Sequence, residues 1–280
     1  MMSLFDLLDA YLSEREASPR YQESLRRTVR RAAAYGVPDI AAMTPVRVNQ
    51  FLRASTVSAV TRSNMRRELL TLWKWAYESD LTEIPPLRVM AIKATPKPPR
   101  AWSLDTLRKL LDLAEKDQKR ISNRLPGVRR CDVLPAWISL AYDSGIRLGD
   151  ILALRKDAIA NGCVALTAQK TSKLTVRRLS AYATEKVMAL AERSPDQTIF
   201  SWALPRKRAM AVWRSFLKEN AISGSPRWLR RSGATYVEME QPGQATKFLG
   251  HSACNPGLAA RHYIDASLTL QLPPSPPPLR

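Results

Sequence analysis

Five residues in the second half of the chain have side chains that could together act on a phosphate ester. They are Arg147, Lys170, Arg230, His251 and Tyr263. A guanidinium is a permanently charged planar fork that fits the non-bridging oxygens of a phosphate. A tyrosine hydroxyl can act as a nucleophile, and lysine or histidine can move the protons of such a reaction. This set of residue types would suit cleavage of a phosphodiester through a covalent intermediate.

Each of these residues also has a structural explanation when it is taken alone. Arg147 follows a glycine turn, Lys170 lies in a polar turn, and Arg230 belongs to a basic run that could simply bind backbone phosphates. His251 could cap a helix, and Tyr263 could be half-buried in a core. The order, spacing and local context of the five residues favour one shared site.

The segments around these residues resemble the motifs of the tyrosine recombinase (phage integrase) family. Residues 145–150, Gly-Ile-Arg-Leu-Gly-Asp, resemble the segment with the first arginine of the family, although Asp150 replaces the usual glutamate. The other matches are the hairpin lysine (Lys170), the arginine of the HxxR box (Arg230), the LGH box (249–251) and the tyrosine nucleophile (Tyr263). The resemblance covers about residues 101–266, and the helical part before them looks like the core-binding domain of the family.

The resemblance implies a reaction that needs neither metal, ATP nor another cofactor. Tyr263 would attack the scissile phosphate and leave a 3′-phosphotyrosyl link and a free 5′-hydroxyl. Arg147 and Arg230 would bind the non-bridging oxygens. Lys170 would protonate the 5′-oxygen, and His251 would bind the phosphate or help to accept the tyrosine proton. If the register of the hairpin differs by a few residues, Lys173 replaces Lys170.

Two features depart from the family pattern. The HxxR box begins with Arg227, so that a cation is kept but a ready general base is lost. The interval from His251 to Tyr263 is longer than usual, which the turn-forming Asn-Pro-Gly at 255–257 explains. Arg227 keeps open the alternative of a decayed integrase that binds DNA without cutting it. A type IB topoisomerase-like nicking-closing enzyme is the other alternative.

The charge of the chain points to a polyanionic partner. Among its 280 residues, 44 are Lys or Arg and 25 are Asp or Glu, a formal net charge of +19. The excess is 16 − 10 = +6 in residues 1–100 and 28 − 15 = +13 in residues 101–280. Because both parts are basic, they fit two lobes that share one polyanion. Nucleic acid is the first candidate for this partner, and the family resemblance implies that it is double-stranded DNA.

Several classes of protein do not fit the sequence. No apolar run approaches the roughly 18 residues of a membrane span, and the start of the chain lacks the basic residues of a signal peptide. Three widely spaced cysteines and only two histidines argue against a disulfide framework and a zinc site. The sequence therefore predicts a cytoplasmic protein, associated with the nucleoid through DNA, with no metal and no membrane partner.

The predicted fold is mainly α-helical with a small antiparallel β-sheet, as a two-domain DNA clamp. Ser3, Thr44, Ser58 and Ser103 precede helical periodicity and predict helix starts. Two β-prone segments within residues 162–180 predict a hairpin. The predicted domains are a helical core-binding domain (1–90), a proline-rich linker (91–101), a catalytic domain (102–266) and a tail (267–280).

Basic residues on helix faces and near the site are predicted to contact DNA. They are Arg26, Arg30, Arg62, Arg66, Lys173 and Arg231. If the family resemblance holds, four protomers assemble on two DNA sites, and the tail docks on a neighbouring subunit. The resemblance also implies an enzyme of a mobile element, for which an accessory directionality factor is a further predicted partner.

Overall fold

The computed structural model describes residues 2–95, 97–122, 127–167, 174–250 and 257–269. As predicted, the fold is mainly helical with a small antiparallel sheet. The chain divides into two units, Met1–Lys97 and Pro98–Arg280. Their boundary falls within the segment that the sequence predicts as a linker. No helix of the described residues is long and apolar enough to cross a membrane.

The first unit contains four helices, which begin at side-chain caps. They are α1 (Leu4–Glu14), α2 (Pro19–Ala34), α3 (Pro45–Ala54) and α4 (Ala59–Glu78). At the predicted helix starts, Ser3, Thr44 and Ser58 each accept a hydrogen bond from a backbone N–H in the first turn, and Ser18 does the same for α2. Such a cap satisfies one of the N–H groups that a helix start leaves without a partner. The predicted helix starts are therefore confirmed.

The residues after α4 turn back onto the first unit. Val89 is buried, and Arg66 donates from Nε to Met90 O at 2.8 Å and from Nη2 to Val89 O at 3.1 Å. The amide of Asn49 donates to Arg88 O and accepts from Met90 N. Residues 88–90, just before the predicted linker, are therefore fixed on helices α3 and α4.

The second unit surrounds a buried central helix with further helices. Its helices are α5 (Leu104–Lys116), α6 (Arg130–Ser144), α7 (Leu148–Leu152), α8 (Ala181–Arg193), α9 (Arg206–Glu219), α10 (Arg227–Glu240), α11 (Ala245–Phe248), α12 (Gly257–His262) and α13 (Ala266–Thr269). Helix α6 packs against α5, α8 and α10. Its Trp137 lies against Phe200 and Trp213 in edge-on contacts. Ser103 caps α5, as the sequence predicts.

A three-stranded antiparallel sheet interrupts these helices. Its strands are β1 (Ile159–Ala160), β2 (Cys163–Thr167) and β3 (Leu174–Arg178), in the order β1-β2-β3. The predicted hairpin corresponds to β2 and β3, with Val164 opposite Arg177 and Leu166 opposite Thr175. The sequence analysis missed β1, because a strand of two residues has no alternation to detect.

The C-terminal tail begins on its own subunit. Asp265 N donates to Thr235 Oγ1 at 3.0 Å, and α13 packs against α10 of the same chain. Residues 266–269 of the segment predicted to dock on a neighbour are therefore held within the subunit. Residues 270–280 lie outside the described residues.

A buried arginine joins three elements of the second unit and gives its stability a dependence on pH. Arg130 donates to Asp117, Glu219 and Ser215. Hydrogen bonds from Arg130, Ser215 and Lys119 lower the pKa of Glu219 from 4.5 to about 2, with Arg130 the largest cause. A carboxylate with a lowered folded-state pKa contributes stability above its unfolded pKa, and this contribution is lost as the pH falls toward the folded value.

We therefore expect Glu219→Gln to remove part of the acid dependence of stability. Between about pH 4.5 and pH 2, the midpoint of thermal unfolding should fall more steeply in the wild type than in the variant. The measurement is the midpoint as a function of pH for both proteins, with Glu78→Gln, in an exposed ion pair, as the control. Equal slopes for the wild type and Glu219→Gln would contradict the assignment.

Candidate active site and DNA-binding surface

Arg230 lies at the centre of the candidate site and is 6% exposed. Its Nη1 donates to Gly145 O, and its Nη2 donates to Leu249 O at 2.9 Å. Gly145 ends α6 in the left-handed conformation, with φ 58°, and Leu249 follows α11. Carbonyls at helix ends lack intrahelical partners, and an arginine can satisfy them. Arg230 therefore connects the ends of two helices inside the unit.

Arg147 follows Gly145 by two residues and immediately precedes α7. Its side chain is 24% exposed, and its Nη1 lies 4.0 Å from Oδ2 of Asp150, whose side chain is 5% exposed. Asp150 is the residue found where the family pattern has glutamate. The carboxylate lies close enough to orient Arg147 while leaving part of the guanidinium accessible.

Tyr263 contacts Arg230. The Cζ atom of Arg230 lies 5.0 Å from the centre of the tyrosine ring, within the range of a cation–π contact. Tyr263 is partly exposed and comes one residue after α12, and its backbone N–H donates to Ala259 O at 2.9 Å. The tyrosine therefore lies just beyond the end of α12.

Burial and neighbouring charges both shift the pKa of Arg230. Burial is the largest cause that lowers its pKa, and the nearby charge of Arg147 lowers it further. Tyr263 and Asp150 act in the opposite direction. Its Nε is buried and has no hydrogen-bond partner among the described residues. A site of this kind favours a nearby anion, which would stabilise the charged guanidinium.

A small cavity of about 10 Å³ adjoins these residues. Arginines 147, 177 and 230 line it, together with Thr175 and Asp150. Three cations against one carboxylate give the lining a positive balance. The cavity has room for about one water molecule, so a phosphate group would bind at its mouth and not inside it.

Two glycines allow the helices of the site to approach closely. A Cβ atom at Gly145 would lie 2.5 Å from the ring of Phe248, and one at Gly233 would collide with Tyr142 O. The Phe248 ring therefore packs where the end of α6 meets α10. The sequence analysis missed Phe248 and Gly233, because neither carries a charge or forms part of a recognisable motif.

Three predicted residues, Lys170, Lys173 and His251, lie outside the described residues. Strands β2 and β3 end on either side of residues 168–173, and α11 and α12 lie on either side of residues 251–256. The roles of these three residues therefore stay predictions.

Arg227 and Arg231 differ in their surroundings. Arg227, at the position where the family has histidine, is the first residue of α10 and is exposed. Arg231 is half-buried, and its Nε has no hydrogen-bond partner among the described residues. Burial, and then the charge of Arg227, lower the pKa of Arg231. Both Arg227 and Tyr263 lie close enough to Arg231 to affect its pKa.

The predicted DNA contacts of the first unit fall into two groups. Arg26 and Arg30 are exposed on α2, and neither forms an ion pair within the described residues. Arg62 on α4 is half-buried, with an unpartnered Nε among the described residues. Arg66 uses Nε and Nη2 on backbone carbonyls of its own unit. The α2 arginines therefore have the most freely available charge in this set.

Comparison with solved structures identifies the fold. No family model matches the sequence, and a search of curated proteins found no match. A lambda integrase dimer bound to a COC′ core site matches with a TM-score of 0.70 and 19% identity, over 92% of this chain and 95% of that chain. The Tn1549 transposon integrase in complex with a circular intermediate DNA matches with a TM-score of 0.73 and 12% identity, over 93% of this chain and 95% of that chain. A lambda integrase tetramer bound to a Holliday junction matches with a TM-score of 0.68 and 18% identity. This match covers 90% of this chain and 78% of that chain. The chain has the tyrosine recombinase fold.

Proposed function

We propose that this protein is a site-specific DNA recombinase of the tyrosine type. The observation that carries the proposal is the contact between buried Arg230 and Tyr263, next to Arg147, in a fold shared with integrases that bind DNA. Arg147 and Tyr263 are 116 positions apart in sequence, and the charges of both act on Arg230.

The first step of the proposed reaction joins the protein to one DNA strand. The Oη atom of Tyr263 attacks the scissile phosphorus, and the bond from phosphorus to the 5′-oxygen breaks. The phenol proton passes to a base, for which His251 is the candidate, and the 5′-oxygen takes a proton from Lys170. The phosphotyrosyl ester keeps the energy of the original phosphodiester. A 5′-hydroxyl of the partner strand can therefore attack the phosphorus, release Tyr263 and form a new phosphodiester that rejoins the DNA.

The two arginines stabilise the charge that develops at phosphorus. Arg147 and Arg230 bind the non-bridging oxygens, and each such donor contributes about 3 kcal/mol to the transition state. The phosphate in turn places negative charge next to the buried guanidinium of Arg230. Because Arg230 is held by two carbonyls before DNA binds, little reorganisation is needed at the moment of reaction.

Double-stranded DNA is the proposed partner, and assembly into a tetramer is part of the proposal. Matching structures include a lambda integrase dimer on a core site and a lambda integrase tetramer on a Holliday junction. An accessory directionality factor and association with the nucleoid in the cytoplasm stay predictions. The exposed arginines of α2 are the proposed contacts of the first unit with the DNA backbone.

The double variant Arg26→Ala/Arg30→Ala is expected to weaken DNA binding and to reduce its dependence on salt. Each lost phosphate contact lowers the slope of log K against log [salt] by about 0.9, so the two changes should lower it by about 2. The measurement is DNA affinity across a salt series. Arg155→Ala is the control, since that exposed arginine already pairs with Asp157. An unchanged slope in the double variant would exclude α2 from the interface.

Strand exchange between two DNA sites tests the recombinase function. Duplexes drawn from the DNA that flanks the gene supply the candidate sites, and products are separated by length after deproteination. We expect recombinant products that require both sites. Relaxation of supercoiled DNA without any partner site would instead indicate the type IB topoisomerase-like alternative.

A further inference from the structure

Arg177 is a charged residue of the cavity that bonds to backbone carbonyls. Its Nε donates to Phe248 O at 2.9 Å, its Nη2 to Lys247 O at 2.9 Å, and its Nη1 to Val176 O at 2.7 Å. The side chain is half-buried, and within the described residues it forms no ion pair. Burial lowers its pKa. Its surroundings therefore differ from those of an ordinary solvated arginine on a strand.

The carbonyls that Arg177 holds belong to the turn that ends α11. Lys247 and Phe248 are the last two residues of that helix, and Gly250 continues the turn with φ +66°. A Cβ atom at Gly250 would lie 3.5 Å from Nη2 of Arg177. The arginine therefore packs directly on the turn formed by residues 247–250, here called the 247–250 turn.

The next carbonyl of the same turn belongs to Leu249 and binds Arg230. Arg177 on β3 and Arg230 on α10 thus hold three consecutive carbonyls from two sides. If the 247–250 turn shifted, Leu249 O would shift with it, and Arg230 would lose one of its two backbone anchors. The orientation of the buried guanidinium is therefore linked to a residue on the hairpin.

We propose that Arg177 is a positioning residue for DNA cleavage, which fixes the 247–250 turn so that Leu249 O keeps Arg230 directed at the scissile phosphate. This inference rests on the proposed recombinase function. It does not require Arg177 to touch DNA. A misplacement of about 1 Å in a group that binds the transition state can cost 100-fold in rate, and we expect a loss of about that size when Arg177 is removed.

The test compares Arg177→Ala with Arg178→Ala, a change at the next residue of the same strand. Arg178 is exposed, and β-strand alternation places it on the opposite face of the sheet. The single-turnover cleavage rate of a nicked duplex and the Kd for the same duplex are measured. We expect Arg177→Ala to lower the rate about 100-fold with an unchanged Kd, whereas Arg178→Ala keeps the wild-type rate.

Chemical rescue separates positioning from a general loss of structure. Free guanidinium ion should occupy the space that Arg177→Ala leaves and restore part of the cleavage rate. Arg177→Lys keeps the charge but has no planar fork, so its rate should lie between those of the alanine variant and the wild type. Thermal unfolding of each variant shows that it is folded. If Arg177→Ala does not fold, the comparison rests on Arg177→Lys.

Wild-type cleavage by a folded Arg177→Ala or, where that variant does not fold, by Arg177→Lys would overturn the positioning role. An equal loss of cleavage and of DNA affinity, or the absence of guanidinium rescue in the folded alanine variant, would also overturn it. In these cases the wild-type protein still cleaves, so the proposed function stands. If the wild-type protein itself forms no cleavage product, the proposed function fails and this inference fails with it.

Discussion

Tyr263→Phe is expected to abolish covalent attachment of the protein to DNA and to leave DNA binding intact. The variant loses only the hydroxyl, so the phenyl ring still contacts Arg230. Removing the nucleophile of a covalent mechanism lowers rates by about 10⁴-fold or more. The measurement is the covalent adduct formed on a nicked duplex and separated on a denaturing gel, beside a binding assay with the same duplex.

Tyr142→Phe is the matched control for this experiment. Tyr142 lies in the same unit, but burial raises its pKa to about 12, so it is a poor source of phenolate. We expect the control to form the adduct at the wild-type rate. An adduct that persists in Tyr263→Phe, or one that is lost in Tyr142→Phe alone, would show that another residue is the nucleophile.

Arg230→Lys is expected to lower the cleavage rate by about 10²-fold to 10³-fold, the effect of losing one donor to a developing oxyanion. A lysine keeps the positive charge but not the planar fork, so it cannot hold Gly145 O, Leu249 O and the phosphate together. The unpaired carbonyls should also lower the midpoint of thermal unfolding, since a buried acceptor without a partner costs about 1–3 kcal/mol.

The control for Arg230→Lys is Arg261→Lys, an exposed arginine of α12 two residues before Tyr263. Both substitutions keep the net charge, so a difference between them reports on geometry. We expect the control to have the wild-type rate and unfolding midpoint. Wild-type cleavage by Arg230→Lys would remove Arg230 from the proposed catalytic set.

Local features of the fold could be predicted from sequence because local interactions determine them. Ser3, Thr44, Ser58 and Ser103 each precede a helix, and a capping hydroxyl needs only the N–H groups of the following turn. The hairpin of β2 and β3 follows from its composition. The convergence of Arg230 with Tyr263 was predictable from motif order, although not from periodicity.

Long-range partners could not be predicted, because periodicity shows which face a residue occupies but not what covers that face. Arg66 lies on the predicted basic face of α4, yet it bonds to the backbone at residues 89 and 90. In the sequence, Arg177 is one of two adjacent arginines with no feature that distinguishes it. The backbone carbonyls to which it bonds lie about 70 residues further along the chain. In both cases the guanidinium satisfies carbonyls of a segment that the local sequence leaves irregular.

Arg227 is the residue on which the alternative of a decayed integrase depends. It is exposed at the start of α10, whereas Arg230, one turn later, is buried. A guanidinium there can bind a phosphate but cannot act as a base near neutral pH. The proposed mechanism therefore assigns proton acceptance to His251 and requires no general base at position 227.

Covalent capture on DNA tests the central claim most directly. The wild-type protein is incubated with nicked duplexes from the DNA that flanks its gene, in the presence of a metal chelator, and the products are resolved on a denaturing gel. The mechanism predicts a protein–DNA adduct whose modified peptide contains Tyr263. If the protein binds these duplexes and forms no adduct, the catalytic claim is contradicted, and Arg227→His becomes the next variant to examine.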